Sequence, residues 1–169
     1  IVELMVREYL EANDVDTASI KFVEIAFPNM LSMLHQKSID AAAVYEPFVT
    51  LATDDTELRV LAYHSTSVLP SMQVSTYNAL ESWLGKYHLS ATRFKDAMSE
   101  ATELITTDPS VLPSAVMGYT SMDAGLVGRV TLPEYSIAVD LESLRNISGM
   151  LGRRGWTDET VDVEAIAKW

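Results

Sequence analysis

Tyr45, Glu46 and Pro47 place a flat ring with a hydroxyl beside a carboxylate at the start of a predicted helix. Those residue types suit the capture of a small organic molecule: the ring offers an apolar face, and the oxygens orient polar groups. The carboxylate has a second use there, because it can accept the free N–H groups of the helix's first turn. Tyr45 could equally serve in the core or at a hinge. Phe27, Pro28 and Asn29 form a second junction of the same kind. Phe27 could line a site or staple its helix in place, and Asn29 could cap that helix or donate to a ligand.

The remaining chemistry-bearing residues form no reactive set. His35, His64 and His88 lack metal-ligand spacing and read as surface or packing residues. Asp54, Asp55 and Glu57 read as a solvated turn, without the alternating oxygens and glycine of a calcium loop. Gln73, Ser75 and Thr76 read as exposed edge residues, and Arg153-Arg154 as charges at a helix C-terminus. Trp83 and Trp156 read as packing anchors, and Trp169 ends the sequence. No serine lies in a nucleophile elbow, no glycine loop suits phosphates, and no carboxylate pair is placed for acid–base work. Nothing in the sequence argues for an enzyme.

The elements that must position these residues alternate. Residues 1–12 read as a helix, 20–26 as a strand, 28–36 as a helix, 39–44 as a strand, 48–52 as a helix and 58–63 as a strand. That alternation predicts a parallel sheet with helices on its faces. The nearly all-apolar run 39–44 suits a strand covered on both sides. Ligands of open α/β sheets bind at the carboxyl ends of strands, where Phe27, Asn29, Tyr45 and Glu46 would stand. Lys37 would occupy the turn before 39–44, and if that turn follows the glycine pattern named below, the lysine either accepts a left-handed backbone at roughly 1–2 kcal/mol or the turn is rebuilt. Residues 68–77, interrupted by Pro70, read as an edge or crossing segment. Residues 90–106 make the clearest amphipathic helix, with Ser90 as N-cap and Asp108-Pro109 as stop.

Ile39-Asp40-Ala41 followed by Glu46-Pro47 resembles a pattern in the solute-binding proteins of ABC importers, in the group that takes nitrate, sulfonates, taurine and thiamine precursors. That pattern has a glycine where this sequence has Lys37. The phenylalanine-and-alanine helix ending at Asp108-Pro109 extends the likeness, as do Leu132-Pro133, Asp140, Gly155 and Val161-Asp162. The resemblance implies an α/β fold of the type II periplasmic-binding-protein kind, with a parallel-rich sheet, helices on both faces and a helical C-terminal part. By that comparison residues 1–67 are the second α/β lobe without its first strand. Residues 68–77 are then a crossover segment, and 78–169 are helices returning toward a first lobe before Ile1.

What the resemblance implies is capture, not catalysis. A small organic solute would bind in a cleft faced by Phe27, Asn29, Tyr45 and Glu46, and a membrane ABC permease would recognise the closed protein. Work outside the cytoplasm, with no cofactor and no metal, goes with that reading. The visible residues favour a neutral or heteroaromatic ligand over a sulfonate or nitrate, because no arginine stands at a predicted junction. A truncated chain would expose its cleft face and could dimerise through it. The rival readings are an effector-binding domain of a transcription regulator and a thiamine-pyrimidine synthase, whose cysteine-rich segment cannot exist here.

Composition agrees. The 169 residues are 48 % hydrophobic, carry a formal net charge of −12 and include no cysteine. So acidic a chain is a poor partner for nucleic acid or an anionic membrane surface. The lack of cysteine excludes disulfides, thiolate catalysis and cysteine-ligated metals.

Overall fold

Helices joined by irregular segments build the computed structural model, which describes residues 1–157 and 161–167. In chain order they are α1 (Val2–Glu11), α2 (Phe27–His35), α3 (Phe48–Asp54), α4 (His64–Val68), α5 (Glu81–Lys86), α6 (His88–Thr107), α7 (Val111–Tyr119), α8 (Ala124–Val127), α9 (Leu141–Arg153) and α10 (Val163–Ile166). A 3-10 turn, Thr17–Ser19, follows α1. Trp169 lies outside the described residues.

The expected α/β fold, with a parallel-rich sheet and helices on both faces, is overturned: among the described residues there is no β-strand. Residues 20–26, 39–44 and 58–63 lie between helices, but they form no ladder. The recorded backbone bonds beside them are local turns, such as Leu58 N–H to the Asp55 carbonyl at 3.2 Å. An apolar run reports what a segment can bury. A ladder also needs a second backbone about 4.8 Å away, and no single run specifies that neighbour. Val23, Leu61 and Tyr63 accordingly remain 53 %, 68 % and 64 % exposed.

The chain divides into two compact units, Ile1–Gln73 with Asp140–Trp169, and Val74–Val139. In the first, Leu4 and Met5 of α1 are fully buried with Leu69 and Met150, and Val68, Met72, Ile147 and Leu151 pack around them. Asp140 opens α9 by accepting the Ser143 N–H at 2.9 Å, and the buried Ser143 hydroxyl accepts the Gln73 N–H at 2.8 Å. Gln73 is thus a joint in this unit and not a plain edge residue. In the second unit Leu112, Val116 and Val127 form the core, flanked by Ile105 and Met122. Its long helix α6 begins at His88, so Ser90 lies inside the first turn and does not cap it. Trp83 and Trp156, read as packing anchors, are 43 % and 45 % exposed; Trp83 meets Tyr87 with centroids 5.4 Å apart, and the Arg154 guanidinium lies 6.0 Å from the Trp156 ring.

Three helices of the first unit end alike. After α1, α2 and α9 the backbone turns left-handed at Asp14 (φ 60°), Lys37 (φ 55°) and Gly155 (φ 64°). In each case the next residue's N–H reaches back five positions: Val15 to Leu10, Ser38 to Met33 and Trp156 to Leu151, all at 3.0 Å. These are Schellman endings, which satisfy carbonyls that the helix leaves open. Of the two outcomes expected for a lysine at the pattern's glycine position, Lys37 adopts the left-handed one.

Candidate functional site

Three irregular segments each deliver an aromatic residue as they meet a helix. Phe27 begins α2, Tyr45 precedes α3, and His64 begins α4. The rings meet. Phe27 stands edge-on to Tyr45, with centroids 6.0 Å apart and planes at 84°, and stacks on Phe48 at 6.1 Å and 20°. Tyr45 in turn meets His64 edge-on at 6.3 Å. All four rings are half-buried. They form a continuous aromatic wall that still reaches solvent.

Polar atoms run along the same wall. The Tyr45 hydroxyl lies 3.3 Å from the Ser65 Oγ, which lies 3.1 Å from His64 Nδ1. Burial pushes the His64 imidazole below its ordinary value, so the ring is neutral at neutral pH and keeps one acceptor nitrogen. Glu46 sits beside Tyr45 and acts as a helix cap. Its Oε2 accepts both the Thr50 N–H at 3.0 Å and the Thr50 hydroxyl at 2.8 Å. The peptide bond between Glu46 and Pro47 is cis. Glu46, Tyr45 and Phe27 thus fall in one neighbourhood of the structure. Asn29 is exposed in the first turn of α2, where its backbone N–H bonds to the Ala26 carbonyl at 2.9 Å.

Sequence reasoning missed His64, Ser65 and Phe48. Their signal was available by analogy: His64 follows residues 58–63 as Phe27 follows 20–26 and Tyr45 follows 39–44. The search for metal-ligand spacing hid it, since a packing partner needs no periodic spacing. Among the described residues no cluster of histidine and acidic side chains could hold a metal ion.

Away from that wall, an open groove of about 520 Å³ lies between α1 and the end of α9. Arg154 donates from Nε to Glu8 at 2.9 Å and from Nη2 to Glu11 at 2.7 Å, while Arg7 donates to Glu3 at 2.8 Å. Glu11 draws the Arg154 guanidinium above its ordinary value, and Arg154 draws the Glu11 carboxyl below its own. The groove's charges are therefore matched to one another. It is an ionic joint between two helices, as expected for arginines at a helix C-terminus.

Comparison with family models matches residues 2–116 to the family described as NMT1-like. No curated protein and no solved structure matches the chain. The matched span contains Phe27, Asn29, Tyr45, Glu46, Phe48, His64 and Ser65.

Proposed function

The chain belongs to the NMT1-like family, a family of ABC-importer solute-binding proteins, and from that premise we propose that its aromatic wall captures a small planar organic solute. Members of that family are generally binding proteins and typically work outside the cytoplasm. Among the described residues no helix is long and apolar enough to cross a membrane.

The observation that carries the reading is the meeting of Phe27, Tyr45, Phe48 and His64 beside a chain of hydrogen-bonding atoms. A planar ligand gains offset or edge contacts with the rings. The Tyr45 hydroxyl, Ser65 and His64 then fix its orientation, while Glu46 favours an amino-bearing or cationic group. The wall contains no arginine or lysine, which favours a neutral or partly cationic heteroaromatic compound over a sulfonate or nitrate. Capture in this account is completed by closure of a lobe over the bound ligand, driven by the ligand's preference for the closed state. The closed form is what a membrane permease recognises. Self-association belongs to the same proposal: it would run through the cleft face that a lobe without its partner exposes. A strictly monomeric protein in concentrated solution scattering would remove that part.

The test is a thermal-shift panel of aminopyrimidines, other heteroaromatics, alkyl sulfonates and nitrate on the full-length protein. A ligand at 100 times its Kd stabilises the folded state by about 2.7 kcal/mol. Heteroaromatics are expected to raise Tm, with the rise lost in Tyr45→Ala. Stabilisation by sulfonates or nitrate alone would overturn the preference.

A further inference from the structure

Two of the helices that meet at the aromatic wall, α2 and α3, are fastened at both ends. At their N-terminal ends Phe27, the first residue of α2, stacks on Phe48, the first residue of α3. At their C-terminal ends His35, the last residue of α2, puts Nε2 2.7 Å from Asp55 Oδ2, just past α3. Its other nitrogen, Nδ1, lies 3.2 Å from Glu57 Oε2. The helices therefore run side by side in the same direction, with the wall at one end and His35 at the other. Nine residues of helix put these ends about 12 Å apart.

A ring with a carboxylate at each nitrogen is satisfied only as the imidazolium. Neutral histidine has a single N–H, so its second nitrogen would present a lone pair to a carboxylate oxygen. We propose that His35 is a proton-operated latch on the aromatic wall. The imidazolium ties the far ends of α2 and α3 together. Loss of its proton frees one carboxylate, changes the spacing of the helices and loosens the Phe27–Phe48 stack. Ligand capture is then tighter on the acid side of the latch and weaker on the alkaline side. This last step rests on the wall being the ligand site, as proposed above.

The charged groups around the ring favour that cycle. Asp55 and Glu57 face it from the turn after α3, Asp54 precedes them, and Lys37 follows in the turn after α2. No other residue of α2 titrates. The Asp55 hydrogen bond, aided by Glu57, raises the His35 pKa above its ordinary value. Asp55 is itself held in place by accepting the Glu57 N–H on Oδ1 at 2.9 Å.

The experiment is an NMR titration of the full chain carrying labelled histidine and phenylalanine rings, with no ligand present. His35 is expected to titrate above about 6.5, the usual histidine value. The Phe27 and Phe48 ring signals are expected to move with the same midpoint. In H35Q that movement disappears, and in D55N both midpoints fall together toward the usual value. His64 touches Tyr45 and titrates on the other side of the usual value, so its influence is separable. A His35 midpoint at or below the usual value would overturn the latch. So would phenylalanine signals that stay still through the His35 titration, or that move equally in H35Q. A ligand panel with no hits would remove the capture proposal and leave these ring titrations to decide the latch alone.

Discussion

Glu46 shows how one side chain serves both a fold and a site. Its Oε2 holds the Thr50 backbone and hydroxyl, and Thr50 is buried. Thr50→Val keeps the shape and removes the hydroxyl donor to a charged acceptor, so a loss of about 1.5–3 kcal/mol is expected in urea unfolding. Thr50→Ser should recover most of it. A second expectation concerns His64. Burial lowers its folded pKa, so its contribution to stability is full above the unfolded value and is lost as pH falls through the folded one. His35 is the opposite case: its raised pKa gives a contribution that is full below the unfolded value and is lost as pH rises through the folded one. H35Q should therefore lower the urea midpoint on the acid side, where the His35 contribution is full, and leave it unchanged on the alkaline side, whereas His64→Gln should remove the acid-side fall that His64 causes. At this scale Phe27, Tyr45 and Glu46 were legible, because each stands at a junction with a recognisable composition. His64 and Ser65 were not, because they meet Tyr45 from 19 and 20 residues along the chain and no local pattern marks that contact.

Helix positions were read well and their partners poorly. The extents of α1 and α2 and the run of α6 follow from apolar spacing and, for α6, from Asp108-Pro109, which act locally. The expected strands failed because pairing is a relation between segments, and residues 20–26, 39–44 and 58–63 carry only half of it. Lys37 gives a test of local strain. It sits at φ 55° in a Schellman ending, where glycine is at ease. Lys37→Gly should stabilise the protein by about 0.5–1 kcal/mol, since relief of roughly 1–2 kcal/mol is partly offset by the freer unfolded chain. A loss of stability would mean that the lysine side chain makes a contact worth more than the strain. The joint between Gln73 and Ser143 gives another test. Ser143→Ala leaves the Gln73 N–H without its acceptor inside a buried site, and a cost of about 1–3 kcal/mol is expected from denaturant midpoints.

Among the described residues the molecule is helical, each of its two units has a small core of its own, and its family is that of solute-binding proteins. Leu4 and Met5 are the fully buried apolar residues of the first core, and Leu4→Ala should cost about 3 kcal/mol. The family was legible because Ile39-Asp40-Ala41 and Glu46-Pro47 are short, ordered signals that survive whatever the segments pair with. The architecture was not, since it depends on what those segments meet. The central claim is that the aromatic wall binds a planar solute, and calorimetric titration of the full-length protein tests it most directly. The titrant is the heteroaromatic compound that most raises Tm. The wild-type protein is expected to bind one equivalent, with affinity falling about tenfold or more in Tyr45→Ala, the effect of roughly 1.4 kcal/mol of lost ring contact. Equal affinity in Tyr45→Ala and in Phe27→Ala would contradict the account and place the ligand elsewhere.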